Sequence, residues 1–420
     1  MKVAFAGLSH LGVCMSIAAH TWGLDVLAFD LDQERAARIA AGEFDAAEPD
    51  AIDFLQSRPD KYRVASEALD LSDADLVLIT VDTILTEENE NDETEVTEFI
   101  NFVAGKVDRD VPIVVASQVR PGFTRSHVPT HPEIFYVMES LIFGQGIERA
   151  RFPERYVVGC ADPERPLPSS LRSFLELANC PIHIMTLESA EFTKLAANYL
   201  LSASITAANS LAELAALLDA DWTVVESALR DDQRIGSNAY ISAGLGIGGA
   251  NLIRDLHGIK ALSDQLGANS SLVSTILEHS DYMKRWVVRM LSPLRRQQNI
   301  SQIAVLGLAY KPGTQSTRGS VGLEISELFS SSWEIRVHDF AVKLSPSSLQ
   351  KLGIKQFDDS VDCLKSADII ILATPYPEYR TTLQRYLSSM PRSIILDPYR
   401  LVEPDLVRNT DVQLIQLGRA

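Results

Sequence analysis

Residues 2–30 read KVAFAGLSHLGVCMSIAAHTWGLDVLAFD, and this stretch decides the fold of the N-terminal region. An apolar run, Val3 to Ala6, ends in Gly7-Leu8-Ser9-His10-Leu11-Gly12, where a helical pattern opens. A second apolar run, Val26 to Phe29, ends in Asp30. Strand, glycine turn, helix and a second strand closing on a carboxylate are the beginning of a Rossmann-like dinucleotide-binding unit. The turn is GxGxxG with Ser9 in place of the middle glycine. Its backbone N–H groups and the helix N-terminus are suited to a pyrophosphate. Ser9 is small enough for a somewhat altered approach, and its hydroxyl is available as a further donor. His10 reads as a solvent-facing loop residue. A carboxylate at Asp30 accepts the ribose hydroxyls of NAD and repels the 2′-phosphate of NADP. The competing reading is an α/β domain whose cofactor site has decayed.

Working outward, further strands are predicted at Leu76 to Thr80, Ile113 to Ala116 and Tyr156 to Val158, with helical patterns between several of them. Such alternation predicts a parallel sheet covered by helices. Leu187 to Leu218 is rich in Ala and Leu, lacks Gly and Pro, and predicts one long helix. More helix is expected at Trp222 to Leu229, Ile253 to Leu266 and Ser271 to Leu291. After the polar linker Arg295 to Ser301, Ile303 to Gly307 restarts the strand–glycine pattern, with strands to follow at Ile335 to His338, Ile369 to Ala373 and Ile394 to Leu396. The expected fold is α/β, with two Rossmann-like parallel-sheet domains, 1–186 and 295–420, joined by a central helical segment, 187–294.

The bulk numbers exclude some functions. With 420 residues, 46% hydrophobic and 22% charged, the chain has an ordinary globular composition. A net charge of -18 argues against nucleic acid and against an anionic membrane as partner. Cys14, Cys160, Cys180 and Cys363 are far apart and show no CxxC spacing, so neither a disulfide framework nor a metal site is expected. No run of 18 apolar residues occurs, and the N-terminus makes a poor signal peptide, so the expected location is cytoplasmic. The acidic stretch Glu87 to Glu95 reads as a solvated loop.

Two further patterns carry chemistry. Glu191, Lys194, Asn198, Ser202 and Asn209 recur at helical spacing on the long apolar helix. Lys194 and Asn198 are four apart and share a face. A lysine withdrawn from water can act as general base beside an orienting amide, although a salt-bridged surface stripe gives the same spacing. Arg234 precedes the segment Tyr240 to Asp255, in which four glycines fall between Gly244 and Gly249. Such a loop can wrap closely around a ligand. A flexible linker is the alternative.

These patterns together resemble the UDP-glucose/GDP-mannose 6-dehydrogenase family over nearly the whole chain. The resemblance rests on Glu191, Lys194 and Asn198, on Arg234 with the loop Gly246 to Asp255, and on Ser117 to Gly122. It rests further on Glu139-Ser140-Leu141 and on Gly307 to Thr314 through Arg318. Related β-hydroxyacid dehydrogenases also place Lys and Asn four apart, but lack the signature holding Lys311 and Arg318.

The resemblance implies NAD as cofactor, held also by Thr83, Gln118 and Arg318. It implies oxidation of a nucleotide-sugar C6 alcohol, a UDP-sugar by family default. Lys194, Asn198 and Asp255 are expected to handle protons and orient oxygens, with Glu139 in the catalytic floor. Leu141, Arg234, Tyr240, Gly244, Gly248, Lys311 and Arg400 are expected to contact substrate. A homodimer is implied, with Arg234 reaching across it. The departure is Asn251, which stands where the family's nucleophilic cysteine is expected. An amide cannot form the thiohemiacetal and thioester on the way to a uronic acid. Three readings follow: a dehydrogenase acting between alcohol and aldehyde, an NAD-retaining epimerase or eliminase working through a C6 aldehyde, or a non-catalytic nucleotide-sugar-binding homologue.

Overall fold

In a computed structural model, residues 1–44, 48, 50–57, 59–65, 71–85, 91–139, 141–142, 144–294, 300–387 and 392–419 are described. The chain divides into two compact units, Met1–Ala197 and Asn198–Ala420.

The first unit runs β1 (Lys2–Ala6), α1 (His10–Thr21), β2 (Asp25–Phe29), α2 (Gln33–Ala40), α3 (Ala51–Ser57), β3 (Tyr62–Ala65), β4 (Leu76–Ile79), β5 (Ile84–Leu85) and β6 (Asn91–Asp92). It continues with α4 (Thr94–Ala104), β7 (Ile113–Val115), α5 (Phe123–His127), β8 (Ile134–Val137), α6 (Gly146–Arg151), β9 (Tyr156–Cys160), α7 (Ser169–Glu176) and β10 (Ile182–Thr186). Eight strands form one sheet in the order β10-β9-β8-β7-β4-β1-β2-β3. Its neighbours pair in parallel except β8 and β9, so the expected parallel sheet carries one antiparallel junction. The inner strands are almost wholly apolar because both faces are covered, whereas the edge strands β3 and β10 are only partly buried. On β1, Val3 and Phe5 enter one core and Ala4 and Ala6 the other. Full burial of side chains such as Val3 and Phe5 stabilises by about 1.5–3 kcal/mol each.

Helix α8 (Leu187–Leu217) begins in the first unit and ends in the second. By length and composition it would suffice to cross a membrane. It nevertheless carries buried Glu191, Ser202 and Asn209, and such polar groups require partners.

The second unit continues with α9 (Trp222–Asp231), α10 (Ala250–Leu266), α11 (Ser271–Lys284) and α12 (Trp286–Leu291). It then runs β11 (Gln302–Leu306), α13 (Val321–Phe329), β12 (Glu334–His338), α14 (Pro346–Leu352), β13 (Ile354–Gln356), α15 (Ser360–Leu364), β14 (Ile369–Leu372), α16 (Pro377–Tyr386), β15 (Ile394–Asp397) and β16 (Gln413–Gln416). The expected helix Ser271 to Leu291 is two helices. Six parallel strands are ordered β13-β12-β11-β14-β15-β16. The fold class is the expected one. Of the acidic stretch, residues 87–90 lie outside the described residues. The remainder is not a plain solvated loop, since it forms β6 and opens α4, with Glu93 on Arg120 and Glu95 on Arg35. Of the linker, residues 295–299 lie outside the described residues.

Candidate active site

The glycine turn is built by four constraints. Gly7 has φ +102° and donates its N–H to Phe29 O at 2.9 Å. The next N–H, of Leu8, is held by Asp30 Oδ2 at 2.7 Å. A Cβ on Gly12 would stand 1.8 Å from Gly7 O, so only glycine lets α1 lie this close. Thr80 closes the turn by donating its hydroxyl to Gly7 O at 2.8 Å.

Two expectations need correction here. The Ser9 hydroxyl donates to Thr80 O at 2.8 Å, so its proton is spent within the protein. His10 is not a solvent-facing loop residue. It opens α1, lies 2.6 Å from Glu48 Oε1 and stacks with Phe44. Asp82, which the sequence reading missed, lies near the same turn, and desolvation raises its carboxyl's pKa.

The neighbouring strand ends meet this turn. Val81 N–H donates to the Ser117 hydroxyl at 3.0 Å, and the Thr83 hydroxyl donates to Gln118 O at 3.0 Å. The ends of β1, β4 and β7 thus gather at the carboxyl edge of the sheet, the position at which open α/β sheets bind ligands. The residues fit a dinucleotide: a glycine-only approach, a helix N-terminus and a strand-end carboxylate.

On α8, Glu191 is fully buried and accepts the N–H groups of Gly122 (2.6 Å) and Thr124 (2.8 Å). Burial pushes its carboxyl up, and the two N–H donors pull against that. Lys194 Nζ donates to Glu139 Oε1 at 2.7 Å and to Glu139 O at 3.0 Å. Glu139 Oε2 takes the Leu141 N–H at 2.8 Å. Both side chains of the Lys194–Glu139 pair are mostly buried, so this part of the polar stripe is not a surface salt bridge. Ser140 lies outside the described residues.

In the second unit, the Asn198 amide donates to Asp255 Oδ2, and Arg254 Nε donates to Asp255 Oδ1 at 3.0 Å. Arg254 and Asp255 are buried. The glycine loop is built rather than slack. Gly244 N–H is held by Asn209 Oδ1 (2.8 Å) and Ile247 N–H by the Ser280 hydroxyl (2.9 Å). Gly246 and Gly249 have φ of +75° and +80°. A Cβ on Gly249 would meet the Tyr310 ring at 2.6 Å, and one on Gly248 would meet Tyr310 O at 3.3 Å. Lys311 Nζ lies 5.7 Å from that ring's centroid. Asn251 is exposed in the first turn of α10, directly after this loop.

The remaining expected site residues have other surroundings. Arg234 is 88% exposed along its side chain and is paired with Asp232. Tyr240 and Arg318 are exposed. Arg400, at φ +58°, gives its guanidinium to the carbonyls of Pro398, Leu417 and Ala243, which makes it a tie for the loop's approach. Burial lowers its pKa.

Three family models match in order along the chain. They are the NAD binding domain (residues 1–170), the central domain (188–282) and the UDP binding domain (304–404) of the UDP-glucose/GDP-mannose dehydrogenase family. A UDP-glucose 6-dehydrogenase of Pseudomonas aeruginosa is 26% identical, covering 96% of this chain and 94% of that protein. Among solved structures, a UDP-glucose dehydrogenase from Pyrobaculum islandicum superposes with a TM-score of 0.84 at 24% identity, covering 100% and 98% of the two chains. A UDP-D-ManNAc dehydrogenase from Pyrococcus horikoshii gives 0.82 at 22%, covering 100% and 99%. At these identities the structures establish the shared fold.

Proposed function

This chain belongs to the UDP-glucose/GDP-mannose dehydrogenase family, and on that footing we propose that it interconverts the C6 alcohol and aldehyde of a nucleotide sugar without making the uronic acid by a thioester. It is an NAD-dependent oxidoreductase acting on a CH–OH group. When bound, NAD supplies the hydride acceptor.

The observation that carries the proposal is that the proton-handling groups are held in place while no primed thiol accompanies them. Glu139 fixes the Lys194 ammonium, and Asp255 accepts an Asn198 amide proton, which leaves the Asn198 carbonyl oxygen as the acceptor that in our reading meets a substrate hydroxyl. Asn251 occupies the cysteine's place in our reading, and its amide can hydrogen-bond an aldehyde or hydrate but cannot add to it. Thiolate is the reactive form of cysteine, and burial pushes all four thiols the other way, Cys363 to about 12. The second unit's loop, with Gly248 on Tyr310 and with Lys311, is the proposed seat of the nucleotide sugar, which in our reading carries UDP.

We assign the cytoplasm as location and a homodimer as assembly. The dimer reading is supported by the exposed apolar residues Leu200, Leu211, Leu214 and Leu217 along α8, since such rows mark interfaces. Light scattering of the purified chain checks the dimer. Incubation with NAD and a panel of nucleotide sugars, counting NADH against product mass, tests the reaction. One NADH per aldehyde is expected; rapid conversion to uronate with two NADH refutes the proposal.

A further inference from the structure

We propose that His10, Cys14 and Glu48 bind one zinc-class divalent ion beside the dinucleotide turn. His10 and Cys14 are one turn apart on α1, so imidazole and thiol share a face. Cys14 Sγ lies 3.6 Å from His10 Nε2, and Glu48 Oε1 lies 2.6 Å from the same nitrogen. One donor atom from each residue falls within 4.8 Å of the others. Sulfur, imidazole nitrogen and carboxylate oxygen are the donor types zinc takes, and three protein donors leave one position open. The four-residue spacing of His10 and Cys14 is visible in the sequence but is not read there as a metal pair, and the third donor, Glu48, stands 38 residues from His10.

The site has an outer shell. Cys14 and Glu48 are both buried. The Gly144 and Gly146 N–H groups hold the two Glu48 oxygens at 2.7 and 2.8 Å, the orientation by second partners that metal-bound carboxylates use. Phe44 stacks with the His10 ring. A Cβ on Gly146 would stand 2.7 Å from Cys14 Sγ and 3.1 Å from Glu48 Oε1. Only glycine therefore lets the start of α6 lie this close to the sulfur and the carboxylate. Thiolate and carboxylate together balance the ion's two charges. Binding forms bonds to Sγ, Nε2 and Oε1, releases the Cys14 proton to water, and displaces the Nε2 proton that faces Glu48, leaving a neutral imidazole protonated at Nδ1. Nε2 and Oε1 must part to about 3.3 Å, the edge of a tetrahedron with bonds near 2.0 Å.

The test uses the full chain, stripped with chelator and titrated with cobalt(II) and then zinc. Expected are one equivalent bound and a thiolate-to-cobalt charge-transfer band that zinc abolishes. Cys14→Ser should remove the band and weaken binding on the order of 100-fold. Gly146→Ala, which keeps all three donors but presses a methyl against the sulfur and the carboxylate, should also weaken it. Wild-type protein with no thiolate band overturns the proposal, whether or not the variants fold. So does a band that survives in a Cys14→Ser chain whose metal-free melting point matches wild type.

Discussion

Replacing Glu191 should loosen the turn that follows β7 far more than an average substitution on a helix. The carboxylate is fully buried and receives two backbone N–H groups, from Gly122 and Thr124. A hydrogen bond to a charged acceptor contributes about 1.5–3 kcal/mol, and an orphaned buried donor costs a similar amount. Glu191→Ala removes both acceptors, with gross cost about 3–6 kcal/mol. Relief of the buried charge offsets part of this, leaving a net of about 2–4 kcal/mol. Glu191→Gln keeps one acceptor and should lose about half. Amide hydrogen exchange at Gly122 and Thr124 reads this locally, without requiring two-state unfolding of a two-unit chain. At tenfold per 1.4 kcal/mol, the alanine variant should exchange about 30- to 1,000-fold faster at both amides. Wild-type exchange rates there would refute the reasoning. The pH dependence has a defined sign. Burial raises the Glu191 carboxyl, so the native state holds this proton more tightly than the unfolded chain. This residue's contribution to stability therefore falls as pH rises from the unfolded value, about 4.3, through the raised native one. In Glu191→Gln that slope should vanish.

Three other outcomes are expected. Asn198→Ala and Asp255→Asn, which break one hydrogen-bonded pair, should each lower kcat about 10²–10⁴-fold with NAD affinity unchanged in a calorimetric titration. A normal kcat in either removes the pair from the chemistry. Gly249→Ala places a side chain at φ +80° against the Tyr310 ring and should cost about 1–3 kcal/mol, seen as a lower melting temperature. Asn251→Cys should raise the yield from one NADH per product toward two, with uronate appearing by mass spectrometry; an unchanged aldehyde product would show that more than the nucleophile is missing.

What was legible in the sequence follows from the range over which each feature is made. The Gly7 to Gly12 turn, Asp30 and α8 are local patterns, and each was placed within a residue or two. Strands β3 and β10 escaped because they are short edge strands, only half-buried and broken by Arg63 and His183. Strand β8 is fully buried but sits between Glu133 and Glu139, and only the partner β9 reveals its antiparallel pairing. The partners of His10, Lys194 and Arg400 stand 38, 55 and 157 residues away. No periodicity carries that information.

The echo between the two sheets shows the same limit most clearly. Strand and glycine were visible at Gly307, but the rest of the device was not. Leu308 N–H is held by Asp339 Oδ2 at 2.7 Å, as Leu8 is by Asp30. Gly307 donates to His338 O as Gly7 does to Phe29 O. Gly322 approaches Gly307 O as Gly12 approaches Gly7 O, with built Cβ distances of 2.1 and 1.8 Å. The separation from Leu308 to Asp339 is 31 residues against 22 in the first sheet, because the segment bearing Lys311 and Arg318 is inserted between the turn and its helix. Spacing rules tuned to the short form miss the long one. That insertion places basic residues after the glycine turn of the second sheet, where the first sheet has Ser9 and His10. In the second unit the N–H groups after the turn are taken within the protein, Leu308 and Ala309 by Asp339 and Tyr310 by Ser316 O, so what the insertion adds is cationic charge. Diphosphate oxygens pair well with a cation such as Lys311, in keeping with the match of residues 304–404 to the family's UDP binding domain, and this supports the proposed seat of the nucleotide sugar.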